Sequence, residues 1–307
     1  MTETSPASHY DEFSMFHENA EEFGIPYPGP PVVARRSVGL DDGRQLSALV
    51  WGDTPPELVL LHGGAQNAHT WDTVALALAR PLVAVDLPGH GHSDGGRRGA
   101  RNLADNADDV ASAIEALAPD ARAVVGMSLG GLTTLVLADR HPGLVRRMVL
   151  VDVTPGVTAE KAQAITNFVR GPESFPDFEA ILARTVEHNP TRSVASLRRG
   201  ILHNALQRDD GTWVWRHARH RAEEPSEPQG GQEGLRFADL WEVVSHVQVP
   251  LMLVRGMRPQ SVVDDDDEAE LVARQPSARI EHVEEAGHSV QGDAPVELAR
   301  LLDEFVP

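Results

Sequence analysis

The chain has 307 residues, 41% of them apolar, which is enough for a sizeable core and too many for wholesale disorder. With 27 basic against 46 acidic residues, the formal net charge of −19 repels phosphate backbones and anionic membranes and argues against nucleic-acid and membrane partners. The cysteine count of 0 excludes disulfides, thiolate metal ligands and a cysteine nucleophile.

Met1-Thr2-Glu3-Thr4-Ser5 lacks the basic and apolar regions of a secretion signal, and the longest apolar candidate, Val74 to Val85, is broken by Arg80-Pro81. A cytoplasmic protein is expected. Residues 1–31 are acidic and end in Pro26, Pro28, Pro30 and Pro31, so they are predicted to form an extended arm or a short helix. From Val32 the pattern changes. Leu58–Leu61, Leu82–Val85, Ala123–Val125 and Met148–Val151 are continuous apolar runs, as strands buried on both faces require. Between them, Trp71–Ala79, Asn102–Leu117 and Leu129–Arg140 carry apolar residues at helical spacing. This alternation predicts βαβ units and a parallel sheet.

The alternation stops near Pro155. Residues 158–245 read mostly as helices, at 158–170, 177–188, 191–206 and 237–245, with irregular pieces at Arg208–Gly211 and 223–234. It resumes with Leu251–Val254, a helix near 265–274, the strand Arg279–Val283 and a last helix near 294–305. One α/β core, 32–155 plus 246–307, is therefore expected to be split by an inserted block, 156–245.

Gly126-Met127-Ser128-Leu129-Gly130-Gly131 fits G-x-S-x-G between a buried strand and a helix. Such a strained turn pushes the Ser128 hydroxyl out of the sheet, and a helix N-terminus favours an oxyanion formed on it. Ser128 is thus the candidate nucleophile, rather than a mere capping serine. Directly after another strand, His62-Gly63-Gly64-Ala65 forms a tight turn able to aim the Gly64 N–H at that oxyanion, with the Leu129 N–H as the second donor. His62 itself reads as a loop-shaping side chain. Asp86-Leu87-Pro88-Gly89-His90-Gly91-His92-Ser93 reads as a rigid turn. A metal site from His62, His90 and His92 is not favoured, because nothing places the three imidazoles on one face.

These pieces, with Ala286-Gly287-His288-Ser289 near the end, stand in the order found in the α/β-hydrolase superfamily, and the chain resembles it over about residues 32–306. The resemblance implies an eight-stranded, mostly parallel sheet flanked by helices, a helical cap inserted after the sixth strand, and a triad in the chain order Ser, acid, His. His288 is then the base that takes the Ser128 proton. The acid departs from the commonest pattern, because the loop Gly256-Met257-Arg258-Pro259-Gln260-Ser261 holds no carboxylate. Asp152, closing the sixth strand, is the favoured acid. Asp264 is the alternative, although Asp264-Asp265-Asp266-Asp267-Glu268 also reads as a helix N-terminus.

The resemblance implies a carboxylesterase-like serine hydrolase acting on a small-molecule ester, with a lactone or thioester as variants, and with no metal or organic cofactor. Carbon–carbon cleavage of a meta-cleavage-type diketone and a non-catalytic hydrolase-fold binding protein are the alternatives. Epoxide and haloalkane hydrolysis would need a carboxylate where Ser128 stands. The inserted block holds Phe168, Phe175, Phe178, Trp213, Trp215, Phe237 and Trp241, which suit either a substrate pocket or ordinary packing. Met127, beside the nucleophile, and Trp213 are the candidate pocket residues. The cluster His217, Arg219, His220, Arg221 suits a solvated basic face or an anion contact, and 223–234 a lid or a linker.

Overall fold

The continuous apolar runs form the middle of the sheet. A computed structural model describes residues 10–96, 102–189, 191–217 and 237–307 of the protein. The first half runs α1 (Phe16–Glu22), β1 (Val33–Gly39), β2 (Gln45–Trp51), β3 (Leu58–Leu61), α2 (Asp72–Leu78), β4 (Leu82–Val85), α3 (Leu103–Leu117), β5 (Ala123–Met127), α4 (Leu129–Arg140) and β6 (Met148–Val151). After β6 come α5 (Gln163–Val169), β7 (Ser174–Phe175), α6 (Phe178–His188), α7 (Val194–Asn204), β8 (Ala205–Gln207), β9 (Trp213–Trp215) and α8 (Leu240–His246). The chain closes with β10 (Leu251–Gly256), α9 (Asp265–Arg274), β11 (Arg279–Val283), α10 (Val290–Asp293) and α11 (Pro295–Phe305).

The main sheet has eight strands in the order β1-β2-β4-β3-β5-β6-β10-β11. β2 pairs antiparallel with both β1 and β4, and every other pair is parallel. Every residue of β3, β4, β5 and β6 is buried, as their unbroken apolar sequences require. Alternate side chains feed two cores. Val59 and Leu61 pack with α3, α4 and α8, through Val110, Leu135 and Leu240. Leu58 and Leu60 pack with α2, α11 and α1, through Val74, Leu302 and Phe16.

The segment between β6 and β10 differs from its expected mostly helical character. β7, β9 and β8 form a three-stranded antiparallel sheet, and the helix expected over 191–206 ends at Asn204, its last residues passing into β8. The turn joining β8 to β9 has Gly211 at φ +86°, with Arg208 N–H donating to Thr212 O at 2.8 Å. Asp210-Gly211, in the piece expected to be irregular, has the residue types that hairpin turns favour. Phe175, Phe178, Ile181, Ile201, Trp213 and Trp215 form a third core within this segment. Arg219, His220, Arg221 and 223–234 lie outside the described residues.

The N-terminal arm contains the short helix α1 and is packed down. Phe16 is buried with its ring 4.9 Å from that of Trp51. Glu12 pairs with Arg35 on β1, and Arg199 on α7 pairs with Glu22 and bonds Asn19 Oδ1 at 2.8 Å. The arm therefore touches both the main sheet and the inserted segment.

Candidate active site

Ser128 follows β5 at φ 51°, ψ −116°, a conformation rare for any residue with a side chain. The glycines around it are obligatory. A Cβ on Gly126 would stand 2.4 Å from Gly130 O, and one on Gly130 would stand 2.3 Å from Leu61 O. The close approach of α4 to β3 and β5 thus excludes any side chain at either position and holds the bend. The Ser128 hydroxyl makes no hydrogen bond among the described residues, although its N–H donates to Val151 O at 3.3 Å. That bond sets it beside the end of β6, where Val151 is the register partner of Met127.

Asp152 is the next residue of β6. It is wholly buried, at φ 46°, a left-handed conformation that aspartate tolerates better than most residues. Its Oδ1 accepts from Gly256 N–H at 2.9 Å and Ser261 Oγ at 2.6 Å, and its Oδ2 from Val262 N–H at 3.1 Å. His288 Nδ1 lies 2.9 Å from the same Oδ2. His288 is brought there by the loop after β11, which packs so tightly on the end of β10 that a Cβ on Gly256 would meet Gly287 O at 2.2 Å. With Nδ1 held by a carboxylate, the imidazole carries its proton there and Nε2 is the basic nitrogen. Nε2 makes no hydrogen bond among the described residues. Asp264 is elsewhere: it caps α9 through Asp267 N–H at 3.0 Å and meets Lys161 Nζ at 2.7 Å.

The loop after β3 closes over the bend. A Cβ on Gly63 would meet Met127 Sδ at 2.5 Å and Ser128 Cβ at 3.3 Å, so only glycine lets the backbone pass this close to the serine. Gly64 faces open space, and Ala65 adopts φ +61°. As the first residue of α4, Leu129 has an N–H with no intrahelical acceptor. His62 is fully buried; its Nδ1 lies 2.7 Å from Gly63 O and its Nε2 accepts from Leu87 N–H at 2.9 Å. Burial holds its pKa below the ordinary value, against the pull of Asp86 and the Gly63 carbonyl. His90 Nδ1 lies 3.0 Å from Pro88 O. These two imidazoles shape loops. Asp86 joins the turns, accepting from Ala68 N–H at 2.7 Å, His92 N–H at 3.0 Å and Arg35 at 2.8 Å.

Of the expected pocket residues, Met127 is buried beneath the Gly63 loop, and Trp213 is buried in the third core, 5.0 Å from the ring of Phe178. Phe237 is exposed, and Trp241 lies under the guanidinium of Arg274 at 5.7 Å. Three positioning groups were not apparent from the sequence. Ser261 occupies the loop that lacks an acid and donates its hydroxyl to Asp152. Gln66 Oε1 accepts from Gly63 N–H at 3.1 Å, and Gln291 Nε2 reaches that same oxygen at 3.4 Å. Ser261 and Gln291 act across the fold and leave no local pattern, whereas Gln66 bonds within its own loop, three residues from Gly63.

A second buried cluster lies where α2, α7 and the arm meet. His69, Asp72 and His203 offer ligand atoms within 4.8 Å of one another. The two imidazoles stack at 3.8 Å and 12°, so their in-plane lone pairs do not converge on one ion. His69 instead bonds Asp72 at 2.9 Å and Glu12 at 3.1 Å, and His203 bonds Tyr10 at 2.7 Å.

Comparison with known proteins agrees with this architecture. The model of the alpha/beta hydrolase fold family matches residues 56–295. The esterase Rv0045c of Mycobacterium tuberculosis is 43% identical over 300 residues, 95% of this chain and 94% of that one. Its solved structure superposes with a TM-score of 0.80 at 42% identity, covering 96% of this chain and 98% of that one. A pimeloyl-[acyl-carrier protein] methyl ester esterase of Sodalis glossinidius is 32% identical over 232 residues, 72% of this chain and 85% of its own. With a bend of this kind on β5, a sheet of this order and relatives of this similarity, the chain belongs to the α/β-hydrolase fold family.

Proposed function

We propose that this α/β-hydrolase is a carboxylic ester hydrolase in which Ser128 is the nucleophile, His288 the general base and Asp152 the acid that orients it. The observation that carries the reading is the 2.9 Å contact of His288 Nδ1 with the buried Asp152, on a strand end adjacent to that of Ser128. The similarity to a mycobacterial esterase over 95% of the chain supports the reaction class. His288 Nε2 takes the Ser128 proton as Oγ adds to the ester carbonyl. The Gly64 and Leu129 N–H groups hold the oxyanion, and the imidazolium then protonates the leaving alcohol. Water, deprotonated by the same nitrogen, releases the acid from the acyl-enzyme. None of these steps calls on a metal or an organic cofactor.

The segment 156–245 is proposed as the cap over this site, with the arm 1–31 as its tether. The substrate is a small-molecule ester and the setting cytoplasmic. Among the described residues no helix is long and apolar enough to cross a membrane.

The test is turnover of 4-nitrophenyl esters with a pre-steady-state burst. Ser128→Ala should lose both burst and turnover, by about 10⁴-fold or more, while its thermal unfolding stays within a few degrees of wild type. Full activity in that variant would refute the reading.

A further inference from the structure

Arg192 precedes α7 and lies against Gly292 of α10, four residues after His288 in the chain. Among the described residues it forms no ion pair. Its Nη2 donates to Ser196 Oγ at 2.6 Å, while its Nε is sealed from solvent with no acceptor. Arg199, on the same side of the inserted segment, is by contrast held by Glu22, Glu18 and Asn19. The carboxylates whose fields reach Arg192 are engaged elsewhere: Glu22 with Arg199 and Ser193, and Asp293 with the Gly287 N–H at 2.9 Å. Burial accordingly pulls the guanidinium below its usual pKa range. A half-buried cation held by one hydroxyl, with its Nε sealed from solvent, is completed by an anion.

The guanidinium also has a built seat. A Cβ on Gly292 would stand 2.9 Å from Arg192 Cζ and Nη1, so the side chain lies against the backbone of α10, the short helix just after His288. Arg192, Gly292, Gln291 and Gln66 line one cavity between the core and the inserted segment. Through the Gln66 bond to Gly63 N–H, its wall is continuous with the loop that carries Gly64. Gln291 is buried there with its Oε1 unbonded. Asp72, which also lines the cavity, is countered by His69. A cavity that abuts the oxyanion loop and the base, and holds one uncompensated planar cation, is suited to a carboxylate, whose two oxygens match the guanidinium fork.

We infer that Arg192 is a specificity residue binding a second, ionised carboxylate of the substrate, so that the enzyme prefers half-esters of dicarboxylic acids. This rests on the hydrolase reading of Ser128. The test compares mono-4-nitrophenyl adipate and suberate with 4-nitrophenyl hexanoate and octanoate, on wild type, Arg192→Met and Arg192→Lys, with spontaneous hydrolysis subtracted. Wild type should favour the half-esters in kcat/KM by at least about tenfold, mainly through KM, as one charge-assisted bond provides. Arg192→Met should bring the ratio close to one, and Arg192→Lys should restore part of it. Should the Met variant fail to fold, product inhibition of wild type decides instead, with adipate expected to inhibit about tenfold more strongly than hexanoate. Hydrolysis of the neutral esters with no preference, or an equal loss on both ester classes in Arg192→Met, overturns the inference and leaves the hydrolase reading standing. No hydrolysis of any ester, or hydrolysis that survives Ser128→Ala, removes the hydrolase reading and this inference with it.

Discussion

At Asp152, donors from three separate stretches of chain converge on one carboxylate: Gly256 N–H, the Ser261 hydroxyl with Val262 N–H, and the His288 ring. A fully buried carboxylate with this many partners is fixed in position beside the imidazole proposed as the general base. Asp152→Asn should therefore lower kcat by about 10⁴-fold while the protein remains folded. Asp264→Asn should leave kcat near wild type, because Asn still caps a helix and Asp264 faces Lys161. Steady-state kinetics on one activated ester checks both, and the reverse outcome would move the acid to Asp264. The sequence narrowed the acid to these two residues and favoured Asp152. It was silent on Ser261, since a hydroxyl reaching across to another strand leaves no local pattern.

Among the elements, the arm around α1 was expected as an extended arm or a short helix, but not its polar contacts with both the core and the inserted segment. Glu12 meets His69 and Arg35, Tyr10 meets His203, and Glu22 meets Arg199. Burial opposes charge on His69, but the Asp72 and Glu12 carboxylates outweigh it and raise its pKa to about 9. A base whose folded pKa lies above its unfolded value near 6.5 stabilises the fold fully below that value. The stabilisation is lost as pH rises through about 9. The melting temperature should accordingly fall between pH 7 and pH 10. His69→Gln should start lower at pH 7 and show a flatter decline, as differential scanning fluorimetry across that range would reveal. An equally steep decline in the variant would remove His69 as the cause. β1 and β2 were also not marked as strands. Their register pairs Arg35 and Arg36 with Leu49 and Ala48, so one partner of each pair lacks the continuous apolar run that identifies a central strand.

For the molecule as a whole, stability is graded outward from the central strands. β3, β5 and β6 are buried at every residue, whereas α5 buries none of its own. Native-state hydrogen exchange should be slowest in β5 and β6 and fastest, among the helices, in α5. Comparable protection in α5 and β5 would contradict this gradient. The sequence by itself determined the sharp bend at Ser128 and the order of the main elements. Continuous apolar runs, helical spacing and the G-x-S-x-G motif are local patterns, written within a few residues, although the contacts that leave Gly130 no room for a Cβ come from Leu61 on another strand. Tertiary structure alone decided which carboxylate meets His288, that the inserted segment carries its own small sheet, and that Arg192 lies against α10 with no ion-pair partner among the described residues. Those outcomes depend on which distant stretches are packed together, and burial against a remote partner writes no period into either segment.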